Sequence, residues 1–258
     1  MQMLVDHIVL GVLVGFVSML LFSITISPLL GSILYFGLPS AYLVFKKPYI
    51  FKLALPPVII FGFIYAIGFE YINEVGGSWV FPLAQSFIFP QLFFGIVPGD
   101  VIVWYILWVF MVVAYYEYFI VHRASYTLVM RRVYKVLGFG FLGLGVIAVA
   151  EYAFNASIVI PYAYTVSGLA ALIPVFILYK RKPKRFPKLF QTIPFLAAFF
   201  LVMEVIALTV GYWEFTGGSV FLMSIAGHAI PIEEIILWII ASPLVLSAYH
   251  ELFLDEKV

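Results

Sequence analysis

Residues 211–250 read GYWEFTGGSVFLMSIAGHAIPIEEIILWIIASPLVLSAYH. An aromatic step (Trp213-x-Phe215) leads through a glycine-containing loop to Pro231-Ile232-Glu233-Glu234, and an apolar run of membrane length follows. An ionisable side chain in lipid costs about 2.5–3.5 kcal/mol or more unless it is paired or faces a cavity. A plainer account keeps both glutamates in the wet interface, where they favour the positive end of a helix dipole and Pro231 sets the first turn. The two accounts weigh about equally until the rest of the chain is considered.

The same arrangement occurs twice. Glu70 precedes Trp79 by nine residues, and Glu204 precedes Trp213 by nine. Trp79 precedes Pro98 by nineteen, and Trp213 precedes Pro231 by eighteen. The aromatic step recurs as Trp79-x-Phe81, Pro98-Gly99-Asp100 matches Pro231-Ile232-Glu233, and AYYEYF answers AYHELF. Such order at near-constant spacing indicates an internal duplication with a period of about 134 residues, dividing the chain into halves 1–125 and 126–258.

Composition sets the class. The chain of 258 residues is 65% apolar, 19% aromatic and only 10% charged, with a mean hydropathy of +1.13. A soluble domain of this length cannot hide so much apolar surface, so the fold expected is an all-α, polytopic membrane bundle. Apolar runs fall at about residues 7–29, 30–46, 53–70, 97–121, 135–154, 158–180, 189–211 and 229–251, each near bilayer length. If the Ser27-Pro28 turn were only a kink, there would be seven spans. The first run lacks the basic flank and cleavage pattern of a signal peptide. Basic residues gather at Lys46, Lys47 and Lys52, at Arg123, Arg131, Arg132 and Lys135, and along 180–188. With eight spans all three clusters share one side with both termini, which the positive-inside rule makes cytoplasmic in a multi-pass protein of the cell membrane. Four spans per half make the repeats parallel, so their carboxylates can converge near the opposite face.

Several other signals carry little. Net charge is +1 and cysteine is absent, which excludes a disulfide framework and thiolate sites. The four histidines are scattered without metal-binding spacing, so no metal is expected. Gly138 to Gly143 spells GxGxxG inside an apolar span with no preceding strand, so dinucleotide binding is rejected and no cofactor is expected. The basic run 180–188 reads as a stop-transfer flank, so no nucleic-acid partner is expected. Gly11-x-x-x-Gly15 is a helix-packing pattern, and Asn155-Ala-Ser157 is a glycosylation sequon on the outer side.

The remaining chemical inventory is carboxylates, tryptophans and apolar walls, which suits proton chemistry on an apolar substrate. A carboxylic acid in a desolvated pocket can stay protonated near neutral pH and act as a general acid, while aromatic faces stabilise a cation. An interfacial aromatic belt is the competing account, and it suffices for most aromatic residues other than Trp79 and Trp213.

The duplicated unit resembles the lycopene cyclase domain of integral-membrane carotenoid cyclases, of the type in which two domains are fused. The second copy carries the match through Lys180–Lys188, Glu204, Trp213, Phe215, Gly217-Gly218 and Pro231 to Glu234. The first carries it through Lys46–Lys52, Glu70, Trp79, Phe81, Pro98 and Asp100, with Val101 where the second copy has Glu234. The resemblance implies redox-neutral isomerisation of a linear carotenoid ψ-end to a β-ionone ring. Glu233 and Glu234 would be the acid/base pair, and Glu204, Glu70 and Asp100 supporting acids. Trp79, Trp213, Phe81, Phe215, Pro231 and Pro98 would shape the substrate site. The partners implied are a linear carotenoid drawn from the bilayer and membrane lipids; homo-oligomers are allowed but not required. A hydratase that captures the same cation with water, and a repeat-built transporter, remain alternatives.

The topology has a direct test. Single cysteines at Gly76 and Lys182 in this cysteine-free chain should label with an impermeant reagent from the outer and cytoplasmic sides respectively; the opposite pattern reverses the orientation.

Overall fold

The computed structural model describes residues 2–24, 26–83, 86–121 and 126–255. Arg123 of the second basic cluster, His122 and the boundary at residue 125 lie outside them. Eight helices among the described residues are long and apolar enough to cross a membrane: α1 (Gln2–Ser23), α2 (Pro28–Lys46), α3 (Tyr49–Val75), α4 (Gly99–Ile120), α5 (Met130–Ala153), α6 (Ala163–Arg181), α7 (Phe186–Val210) and α8 (Glu234–Phe253). The chain is an all-α polytopic bundle with a few short strands. These are β1 (Trp79–Val80), β2 (Thr127–Leu128), β3 (Glu214–Phe215), β4 (Leu222–Ile225), β5 (His228–Pro231) and β6 (Leu254–Asp255).

Three of the boundaries that differ from the apolar runs have a local cause. α1 begins at Gln2 because Asp6 does not interrupt it: the carboxyl is buried and accepts from Tyr42 (2.5 Å) and Tyr118 (2.6 Å), tying α1 to α2 and α4. α6 begins at Ala163, since residues 155–160 run outside any helix ahead of Pro161. The last run loses its first residues to a hairpin, in which β4 and β5 pair antiparallel. Its turn, Ala226-Gly227, has φ of 51° and 85°, the backbone that a two-residue hairpin requires. Pro231 therefore closes a strand, and helix follows at once.

Prolines shape the helices from within. α2 and α8 each widen to a π-helical stretch (Ile33–Gly37 and Glu234–Ile240) shortly before Pro39 and Pro243. Proline has no N–H to offer and its ring presses on the carbonyl four residues back, so a widened turn relieves the conflict.

The halves meet about a two-fold relation that the repeat offset reveals. β1 pairs antiparallel with β3, Val80 opposite its own counterpart Glu214. Deeper in the bundle, Trp108 donates to Ser242 (3.3 Å), and His250 Nε2 bonds Glu117 Oε1 (2.7 Å). Tyr116 donates to Glu251 (2.8 Å). These pairs are 133 to 135 residues apart, so each residue touches a position at or beside its own equivalent, as happens at a symmetry axis. α4 and α8 pack on each other at this seam. The basic loops gather at its far end, where Lys47 donates to the Tyr118 carbonyl, Lys182 to the Glu251 and Leu254 carbonyls, and Arg132 clamps Asp255 at 2.8 and 3.0 Å.

Packing also exchanges helices across the axis: α1 lies on α7, and α5 lies on α3. The α3–α4 contact is backbone to backbone, because a Cβ at Gly62 would stand 2.8 Å from Ile106 Cα. Gly11 and Gly15, by contrast, face open space, so that pattern packs against nothing among the described residues. Gly62→Ala should therefore cost about 1–3 kcal/mol through forced separation of α3 and α4, whereas Gly11→Ala should be neutral. Thermal unfolding of detergent-solubilised variants distinguishes them.

Candidate functional site

Each repeat builds the same carboxyl–indole pair. Glu70 stands in the last turns of α3 and Trp79 in β1, and the indole N–H donates to Glu70 Oε1 at 2.7 Å. Glu204 and Trp213 repeat this at 2.9 Å. A buried carboxyl needs donors, and a tryptophan nine residues on, brought back by the turn, supplies one. Glu70 is held further by the Tyr105 hydroxyl, 3.0 Å from Oε2, so both its oxygens are occupied. Glu204 keeps Oε2 without a protein donor among the described residues.

The Pro-x-acid steps also match, in backbone and side chain alike. Gly99 N–H donates to the Phe89 carbonyl (2.7 Å), and Ile232 N–H donates to that of Phe221 (2.8 Å). Asp100 accepts from the amides of Ile88 (3.0 Å) and Phe89 (2.7 Å). Glu233 accepts from the Val220 amide (2.6 Å) and the Thr165 hydroxyl (2.9 Å). Both acids therefore fasten the preceding loop to the head of a helix. Even the hairpin turn has a counterpart, since Phe94-Gly95 also carries positive φ at both residues, 51° and 75°.

Glu234 is different. Successive helical positions diverge by about 100°, so while Glu233 turns to the loop, its neighbour turns to the interior. Glu234 is only 4% exposed and lines a cavity of about 810 Å³, yet it makes no hydrogen bond among the described residues. Its counterpart in the first repeat, Val101, lines the same cavity. The space runs along α8 from Glu234 to Tyr249, roughly 22 Å at 1.5 Å per residue, and its walls are overwhelmingly apolar.

Of the residues singled out from sequence, the cavity gathers Glu70, Glu204, Glu234, Trp79, Trp213, Phe81 and Phe215. Glu233, Asp100, Pro98 and Pro231 stay outside its wall. The expected Glu233/Glu234 pair is thus divided between a structural and a cavity position. Sequence reasoning missed Trp104, Tyr105, Trp108 and Trp238, which complete the lining: all five tryptophans of the chain are there. The repeat register held a clue, since Trp238 stands at the position of Tyr105 counted from Pro98 and Pro231, and at that of Trp104 by the offset of 134 residues. Near Glu70, Trp238 stacks on Tyr164 (5.4 Å between centroids) and lies 4.5 Å from Phe69, while Trp79 meets Tyr164 edge-on at 5.2 Å. No group of His, Cys, Asp and Glu suited to a metal ion occurs among the described residues.

The counterpart region among α2, α4 and α7 is packed with aromatic rings among the described residues. Among α2, α4 and α7, Tyr35 stacks on Phe199 at 4.6 Å, and Phe36 packs edge-on to Trp104 and Trp108. Aromatic rings fill that space. Comparison with family models, curated proteins and solved structures finds no match to this chain.

Two kinds of carboxyl should respond differently to removal. Asp100→Ala removes the buried acceptor of the Ile88 and Phe89 amides and should cost about 1–3 kcal/mol, with faster hydrogen exchange at both residues. Glu234→Gln, which breaks no bond, should leave the unfolding temperature unchanged.

Proposed function

We propose that the chain is a carotenoid cyclase of the cell membrane, with both termini cytoplasmic, that closes a linear ψ-end into a β-ionone ring without a redox cofactor. One observation carries the reading: an unpartnered buried carboxyl, Glu234, faces a long apolar cavity flanked by two further carboxyls and five indoles. Polar binding groups are too few for a hydrophilic solute, and the apolar wall disfavours the water that a hydratase must supply.

In this reading Glu234 is the proton donor. Its proton adds to the terminal carbon–carbon double bond of the ψ-end, and the electron pair of that bond becomes the new C–H bond. The tertiary cation left behind is attacked by the neighbouring alkene, which forms the ring bond and moves the charge into the ring. Loss of a ring proton to a carboxylate restores a double bond, so the product is an isomer of the substrate. Glu204 suits the acceptor role, because Trp213 orients one oxygen and leaves the other unengaged. Glu70, gripped at both oxygens, is a fixed source of negative potential near the cation. The faces of Phe69, Trp79, Tyr164 and Trp238 add the attraction of aromatic rings for positive charge.

Expression in lycopene-accumulating cells, followed by pigment chromatography, tests the reading. Wild-type membranes should accumulate β-ring products, and Glu234→Gln at matched protein level should lose roughly 100-fold or more of this activity. Glu233→Gln should lose less, because a glutamine oxygen can still accept from Val220 and Thr165. Normal cyclisation by Glu234→Gln, or a hydroxylated acyclic product from the wild type, would overturn it.

A further inference from the structure

The two halves differ in how their outer helices meet. α1 packs against α2, but α5, which lies on α3 and reaches α8, meets its neighbour α6 at most sparsely. The gap lies over the cavity. On one side stand Phe139, Leu142, Gly143 and Val146 of α5, residues that line the cavity and are themselves exposed. On the other stand Ser167, Ala170 and Ala171 of α6, a stripe of small residues at helical spacing. Gly143 adds to the opening, since a Cβ there would meet nothing within 4 Å. Both edges fall near the middle of their helices, at the depth of the acyl chains. Small residues alone would mean little. Here the gap leads to a buried carboxyl without a partner, Glu234, at the head of a slot roughly 22 Å long.

We infer that the gap between α5 and α6 is a lateral portal through which one linear, unbranched-in-outline polyisoprenoid chain slides from the hydrocarbon layer into the cavity. The slot is shorter than the roughly 30 Å of a bilayer's hydrocarbon core. A chain as long as that core therefore places one end beside Glu234 while the other end stays outside the slot, towards the basic loops. This inference deepens the cyclase reading and rests on it for the identity of the chain, but its test does not depend on turnover.

All five tryptophans line the cavity, so intrinsic fluorescence reports on that space without a lipid-facing background. The protein is reconstituted in phosphatidylcholine vesicles whose acyl chains are brominated at mid-chain, and its emission is compared with that in unbrominated vesicles. A linear conjugated tetraene fatty acid serves as a second probe, through energy transfer from tryptophan. Wild type should be quenched and should transfer energy to the tetraene. Gly143→Phe and Ala170→Phe, which add bulk at the open edges, should each cut both signals at least twofold, with unchanged unfolding temperature. Gly11→Phe, on a helix position outside the cavity wall, should behave as wild type. Equal quenching in wild type and both edge variants would overturn the portal. So would absence of quenching in wild type, including the case in which Leu142→Cys forms disulfide dimers that show a second copy covering the gap. If quenching is lost in the edge variants but no variant ever makes a ring, the portal stands and the cyclase reading fails. If ring formation continues with quenching unaffected, the reverse holds.

Discussion

A carboxyl buried in hydrocarbon must find a hydrogen-bond donor, and this constraint orders the bundle. Asp6, Glu70, Asp100, Glu117, Glu204, Glu233, Glu234 and Glu251 are all buried. Seven of them accept from a tyrosine, tryptophan, histidine or backbone amide. Each such bond also joins two segments: α1 to α4, β1 to α3, a loop to a helix head, one repeat to the other. The polar groups that the membrane makes expensive thus serve as its joints. Glu234 is the exception, and the cavity is where it points.

Symmetry explains how such an exception arises. Two copies of one unit provide two carboxyl–indole pairs, two fastened loops and a central seam at which residues meet their equivalents. Departures from symmetry then have a visible meaning. Val101 against Glu234 gives the first copy a wall where the second has an acid. Tyr35, Phe36 and Phe199 pack together on one side, while α5 and α6 meet at most sparsely beside the cavity on the other.

Much of this was legible in the residues. Hydropathy located eight spans, and the spacing of Glu70, Trp79, Glu204 and Trp213 marked pairs that do bond. That Glu233 and Glu234 take different roles was not legible, because it depends on the loop amide of Val220 lying within reach of only one of them. The hairpin β4–β5 was hidden too: its strands are as apolar as the helix they precede, and period alone does not separate a short apolar strand from a helix end. Tyr105 and Trp238 escaped notice because the aromatic residues are so numerous that none stands out without the repeat register.

The exchange of helices across the seam bears on how the protein is made. α3 and the loop to Trp79 can form their carboxyl–indole bond as soon as they emerge, since only nine residues separate the partners. The surface that α1 presents to α7 stays uncovered until most of the chain has been synthesised, and α3 waits likewise for α5. The first half is therefore an unfinished object in the bilayer, its seam open to lipid or to a chaperone. Closure comes last, when α8 brings His250 to Glu117 and Glu251 to Tyr116.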